Sequence, residues 1–130
     1  MTDRELIERA KDASKNAYAP YSRFAVGAAL ECRDGSVFTG CNVENAVLGC
    51  TICAERGAVM KAVSEGRRDF IRIAVYSESR DYCVPCGTCR QVLNEFSPEI
   101  EVLCVRSDDR YVSYKLRELL PAAFNKDYLS

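Results

Sequence analysis

Cys53, Cys86 and Cys89 place three soft sulfur donors in two short motifs, Cys50-Thr-Ile-Cys53 and Cys83-Val-Pro-Cys86-Gly-Thr-Cys89. Cys-x-x-Cys spacing without an export signal reads as metal binding before disulfide formation. Thiolates in tetrahedral array are ligands for Zn2+. Two helices are expected to begin where these thiols stand, one near Cys53 and one at Pro85-Cys86. A helix N-terminus carries partial positive charge and lowers the pKa of a nearby thiol. Three protein ligands leave the fourth metal position to water, the catalytic arrangement, whereas four close the site and make it structural. The closed alternative, a non-enzymatic four-cysteine zinc module built from Cys50, Cys53, Cys86 and Cys89, stays open on spacing alone, and Cys83 is a further candidate ligand. Two features favour the open site. Cys53 begins a helix with Glu55 two residues on, while Cys50 lies in the loop before it, and the apolar content suffices for folding without a metal staple.

Glu55 converts such a site into a candidate catalyst, because a carboxylate beside activated water takes its proton and hands it on. The plain alternative is a first-turn helix acid interacting with the dipole. Arg56 bears on the charge balance. Three thiolates and one dication sum to a net negative site, which opposes loss of a proton from bound water. An arginine donating to ligand sulfur withdraws that charge.

The composition excludes much else. There are no His residues, so imidazole-dependent triads and His-ligated zinc are ruled out. Lys+Arg 18 against Asp+Glu 19 gives a net charge of -1, and there is no Trp, so a nucleic-acid strand is a poor ligand. The 130 residues suit a single domain over 1–130, and 48% hydrophobic content argues against disorder. The charged start, Met1 to Ala10, lacks a signal-peptide core, and no stretch approaches a membrane span, so a cytoplasmic setting is expected.

The elements that must position these residues follow from periodicity. Thr2-Asp-Arg-Glu5 has the form of a capping box, and Leu6, Ile7, Ala10, Ala13 and Ala17 recur at helical spacing, predicting a helix that ends before Pro20. Phe24, Val26, Ala28 and Leu30 alternate, predicting a strand with one buried face; Asp34-Gly35 is a hairpin turn, and Ser36 to Val43 returns as its partner. Asn42 and Glu44 then fall on one side of a strand end, where a solvated end is the plain reading. Thr51 to Glu65 reads as a helix stopped by Gly66, and Phe70 to Ser77 as a buried strand. A helix after Pro85 carries Cys89, Val92, Leu93 and Phe96 on one face. Ile100 to Arg106 is a third apolar strand, Tyr111 to Tyr114 a short edge strand, and Lys115 to Leu120 a short helix broken by Pro121. Strand–helix–strand alternation implies parallel pairing in the second half, and the hairpin implies antiparallel pairing in the first. The expected fold is α/β: a three-layer α-β-α sandwich around a mixed sheet of about five strands.

Thr51-Ile-Cys53-Ala-Glu55-Arg56, followed by Pro85-Cys86-Gly-Thr-Cys89-Arg-Gln, resembles the C-x-E…P-C-x-x-C signature of the zinc nucleoside deaminases, a well-known example of zinc-assisted base deamination. With Cys as first ligand, the pattern is similar to the small homotetrameric cytidine deaminases. The resemblance extends over Tyr18 to Leu30, Gly40 to Ala46 and Leu119 to Phe124. It implies a cytidine deaminase-like fold and hydrolysis of cytidine and deoxycytidine to uridine and deoxyuridine, with release of ammonia. By motif match, Zn2+ on Cys53, Cys86 and Cys89 would deliver hydroxide to C4, and Glu55 would protonate N3 and assist the leaving amino group. Asn42 and Glu44 would bind the sugar, Phe24 would flank the ligand, and Ala54 would contact the substrate. Ala46 and Phe124 would contribute across a subunit boundary. The plain alternative for Phe24 and Phe124 is core packing. A neutral nucleoside also suits Glu44, which would repel a phosphate placed there.

There are three departures, of which the first and the last bear on substrate range, while Cys50 and Cys83 read as packing or spectator thiols. Val47-Leu48 stand where the family often has a small polar residue and an aromatic, Cys50 precedes Cys53, and Asp81-Tyr-Cys-Val84 precedes Pro85. A pocket widened for modified cytidines is one consequence. Deamination of an antibiotic of the blasticidin S type is another alternative, though it would not call for the Asn42/Glu44 pair.

Overall fold

A computed structural model describes residues 1–129. The elements run α1 (Asp3–Ser14), β1 (Val26–Cys32), β2 (Val37–Cys41), α2 (Ala54–Ser64), β3 (Phe70–Ser77), α3 (Gly87–Phe96), β4 (Glu101–Val105), β5 (Tyr111–Lys115) and α4 (Leu116–Leu119). Single 3-10 turns occupy Leu48–Cys50 and Lys126–Leu129. The sheet has five strands in the order β2-β1-β3-β4-β5. Only β3 and β4 are parallel, joined through α3; the other three pairings are antiparallel.

Helices cover both faces. On one, Leu6, Ile7 and Ala10 of α1 pack with Ala29, Ala74 and Leu103. On the other, Ala54, Ala58 and Val59 of α2, Leu93 of α3 and Leu116 of α4 pack with Leu30, Ile73 and Val102. The three-layer α-β-α arrangement with a mixed sheet is the expected one. Thr2 caps α1 by accepting the Glu5 N–H at 3.1 Å, satisfying an otherwise orphaned donor.

Five expectations are corrected, the last of them the extent of α2. α1 ends at Ser14, before Ala17, because the chain turns there to pair Tyr18 with Val43. β1 is buried on both faces. Its second face, made of Gly27, Ala29 and the ion-paired Glu31, carries too little apolar bulk to register as a stripe, yet α1 lies directly on it. A Cβ at Gly27 would sit 1.9 Å from the Ala10 carbonyl oxygen, so only glycine admits that approach. Phe24 precedes β1 and is half exposed, so it is not core packing of that strand. β2 stops at Cys41, so Asn42 and Glu44 lie in the segment that leaves the strand.

That segment is fixed by backbone pairing. Val43 and Ile52 exchange N–H···O bonds of 2.9 and 3.0 Å. Tyr18 N–H donates to Asn42 O, and Glu44 N–H donates to Tyr18 O. α2 is shorter than the expected Thr51 to Glu65, because residues 51–53 are extended and occupied by this bridge. Gly66, at φ +85, ends α2 as expected, its left-handed conformation suiting glycine.

Candidate metal centre and cleft

Two helix N-termini converge on the sulfurs. Cys53 is the N-cap of α2 and Cys86 the N-cap of α3, while Cys89 lies in the first turn of α3. Pro85 stands one residue outside the cap, where its missing N–H costs nothing. The three Sγ atoms lie within 4.8 Å of one another, and Cys53 and Cys86 are 4.0 Å apart. Tetrahedral zinc–thiolate geometry requires sulfurs roughly 3.8 Å apart, so the cluster fits that ion with little movement. Cys89 is buried, Cys53 half-buried and Cys86 exposed, leaving one side of the cluster open.

No fourth sulfur completes the cluster. Among the described residues this is the one group of three or more potential ligands at such spacing, and neither Cys50 nor Cys83 belongs to it. Cys50 lies exposed on the Leu48–Cys50 turn. Cys83 stands in the cleft wall, and burial pushes its thiol up to about 11, which keeps it a neutral thiol. The closed four-cysteine arrangement is therefore not formed.

Arg56 lies against the cluster. One Nη donates to the Thr51 carbonyl at 3.0 Å and reaches Cys53 Sγ at 3.9 Å, while its Nε is buried without a partner. The Cys53 thiol is lowered to about 5, first by a hydrogen bond from Cys89 and further by Arg56 and Cys86. Cys89 moves upward in turn, since it supplies the proton to its neighbour. Glu55, 5% exposed, projects from the first turn of α2. Burial raises its carboxyl pKa, with the Cys53 charge adding to the effect. A carboxyl shifted upward holds a proton more readily than a free one, which suits a group that takes up a proton and returns it.

A cleft of about 240 Å³ opens beside these groups. Cys53, Cys86, Glu55 and Ala54 line it together with Phe24, Asn42 and Glu44. Asn42 Nδ2 donates to Phe24 O at 2.7 Å, and its Oδ1 accepts the Val26 N–H at 2.9 Å, so this side chain shapes the strand entry. Glu44 Oε1 accepts the N–H groups of Tyr21 and Ser22, and together with the Ser22 hydroxyl these hold its carboxyl below the usual range. Ala54 is the first residue of α2, where the backbone N–H has no acceptor inside the helix.

Ala46 and Phe124 do not line this cleft. Phe124 is 54% exposed and stacks on Tyr128 with centroids 5.1 Å apart. Ser22, Val26 and Thr51 do line it, although nothing in their type or spacing marks them.

The comparisons with known proteins agree with this geometry. Residues 1–105 match the family model described as the cytidine and deoxycytidylate deaminase zinc-binding region. The chain therefore belongs to the cytidine and deoxycytidylate deaminase family, a zinc-binding one, and its three-thiol cluster could hold that ion. It is 48% identical over 128 residues to the cytidine deaminase of Halalkalibacterium halodurans, covering 98% of this chain and 97% of that one. A crystal structure of cytidine deaminase from Burkholderia pseudomallei superposes with a TM-score of 0.93 at 48% identity, covering 95% of this chain and 100% of that one. The blasticidin-S deaminase of Bacillus cereus is more distant, at 29% identity over 96% of this chain and 94% of that protein.

Proposed function

We propose that the chain, acting as one domain over 1–130, deaminates cytidine and deoxycytidine to the uridine products in pyrimidine salvage in the cytoplasm. The observation that carries this is a three-sulfur cluster, open on one side, with the buried Glu55 carboxyl in the same cleft wall. Cys53, Cys86 and Cys89 would hold the zinc ion, which would supply Lewis acidity to the attacking water. Glu55 takes a proton from that water and passes it to N3 as oxygen adds to C4. It then carries the second proton to the departing amino group, so water and cytidine become uridine and ammonia. Arg56 draws negative charge from the Cys53 sulfur. Glu44 receives the sugar hydroxyls, and Asn42 supports the same end by holding Phe24 and Val26 in place. The Ala54 N–H at the start of α2 is available to the pyrimidine, and Phe24 flanks it.

Ala46 and Phe124 stand away from the cleft of their own chain, which suits contacts made between copies in a homotetramer. The test is zinc content measured together with ultraviolet absorbance loss on cytidine. One zinc per chain with turnover is the expected result; zinc without turnover on any cytosine compound would refute the reading.

A second reading concerns range. Cys83 and Val84, from the loop that departs from the family pattern, line the cleft. Their small apolar surfaces suit a cytidine bearing an added group on N4 or C5. Comparing kcat/KM for cytidine and an N4-acyl cytidine decides this, and strict rejection of the analogue ends it.

A further inference from the structure

Arg90 and Gln91 are adjacent on α3, directly after the Cys89 ligand, and both side chains leave the helix to hold backbone elsewhere. Arg90 Nε donates to Pro85 O at 2.7 Å, and its Nη1 donates to Leu119 O at 2.9 Å. Gln91 Nε2 donates to Phe124 O at 2.7 Å. The chain between these two anchors turns through Pro121 and through Ala122, which adopts the left-handed conformation at φ 51. No residue from Leu120 to Leu129 is buried. A segment with no buried side chain draws little stability from packing, so its course depends on the hydrogen bonds that pin it. The two pins come from one turn of the helix that also bears Cys86 and Cys89.

We infer that Arg90 and Gln91 are positioning residues that fix the Phe124 ring relative to the thiol-bearing end of α3. The guanidinium of Arg90 joins the carbonyl next to ligand Cys86 to the carbonyl at the end of α4, and Gln91 holds the backbone of Phe124 itself. The ligand turn and the ring are thereby one mechanical unit. This rests on the reading of Phe124 as a substrate contact between copies. On that reading, the helix completing one subunit's metal centre also sets the aromatic ring it delivers to a neighbour's cleft.

The test uses the zinc-loaded protein with Gln91→Leu and the near-isosteric Gln91→Glu, each also made with Tyr128→Trp. The chain has no Trp, so that indole is the only one and, excited to the red of tyrosine absorption, reports on the tail. Both Gln91 variants lose the donor to Phe124 O. A role in packing alone would be kept by Glu. Expected are lower indole anisotropy, full zinc content, kcat within about twofold, and KM for cytidine raised about threefold to tenfold, the scale of one hydrogen bond. Unchanged anisotropy in both variants overturns the inference, and so does a loosened tail with unchanged KM. Should Gln91→Leu fail to fold, the Glu variant carries the same readouts. Failure of the functional reading looks different: the unmodified protein then shows no absorbance loss on cytidine, while the anisotropy still tests the pins.

Discussion

Arg56 and Cys53 sit one helical turn apart, and the guanidinium that caps the Thr51 carbonyl also reaches the Cys53 sulfur at 3.9 Å. A cation on ligand sulfur lets an all-thiolate centre keep enough positive character to acidify water. Arg56→Ala is expected to lower kcat about 10- to 100-fold with zinc content unchanged. Metal analysis beside steady-state rates checks this, and unaltered turnover would refute the role.

The same contact contributes to the pH behaviour of the metal-free protein, after the hydrogen bond from Cys89. The Cys53 thiol, ordinarily near 9, is held down to about 5. A lowered pKa means the thiolate persists as pH falls and is lost only on passing below about 5. Alkylation by iodoacetamide should therefore show a reactive thiolate at pH 6 to 7. In Arg56→Ala its midpoint should move upward, because one of the groups lowering it is gone.

Glu55→Gln keeps the volume and removes the proton carrier. A loss of about 100- to 10000-fold in kcat is expected with zinc retained. A rate within tenfold of the parent would show that protons travel another way.

Gly40 is the contact through which α2 rests on β2. A Cβ there would lie 2.4 Å from Ala54 O and 2.7 Å from Ala58 N. Gly40→Ala should cost about 1–3 kcal/mol by overpacking and also weaken zinc retention, since α2 carries Cys53 and Glu55. Gly27→Ala crowds α1 instead. It should lower stability without releasing zinc, and Gly49→Ala, with nothing within 4 Å, should change neither. Denaturant melts with metal analysis separate the three.

Removing zinc with a chelator should abolish turnover and leave the far-ultraviolet circular dichroism largely intact. Both apolar clusters are built without the ligand turn except at Ala54.

The thiols, Glu55, the hairpin and the helix-ending Gly66 were legible because each is a local signal, in residue type, spacing or turn chemistry. The β3 strand was legible because its apolar run is interrupted only by Arg72. The second buried face of β1 was not, since Gly27 and Ala29 carry little side chain and their burial comes from α1, distant in sequence. The double role of Asn42, bonding Phe24 and Val26, could not be read either, because a side-chain amide gives no hint of which backbone it will meet. The Val43–Ile52 pairing is likewise a single bridge between loops, too short to leave a period.

That bridge has a consequence for selectivity. It joins the chain carrying Glu44 to the chain entering Cys53, so the spacing of these two cleft-lining residues is a fixed gauge. On the proposed function, a nucleoside fills the gauge at both marks, its sugar at Glu44 and its base at the thiols. Free cytosine touches only one and drifts along it, forfeiting the anchorage that holds C4 in reach, so the bare base should be a far poorer substrate than its riboside.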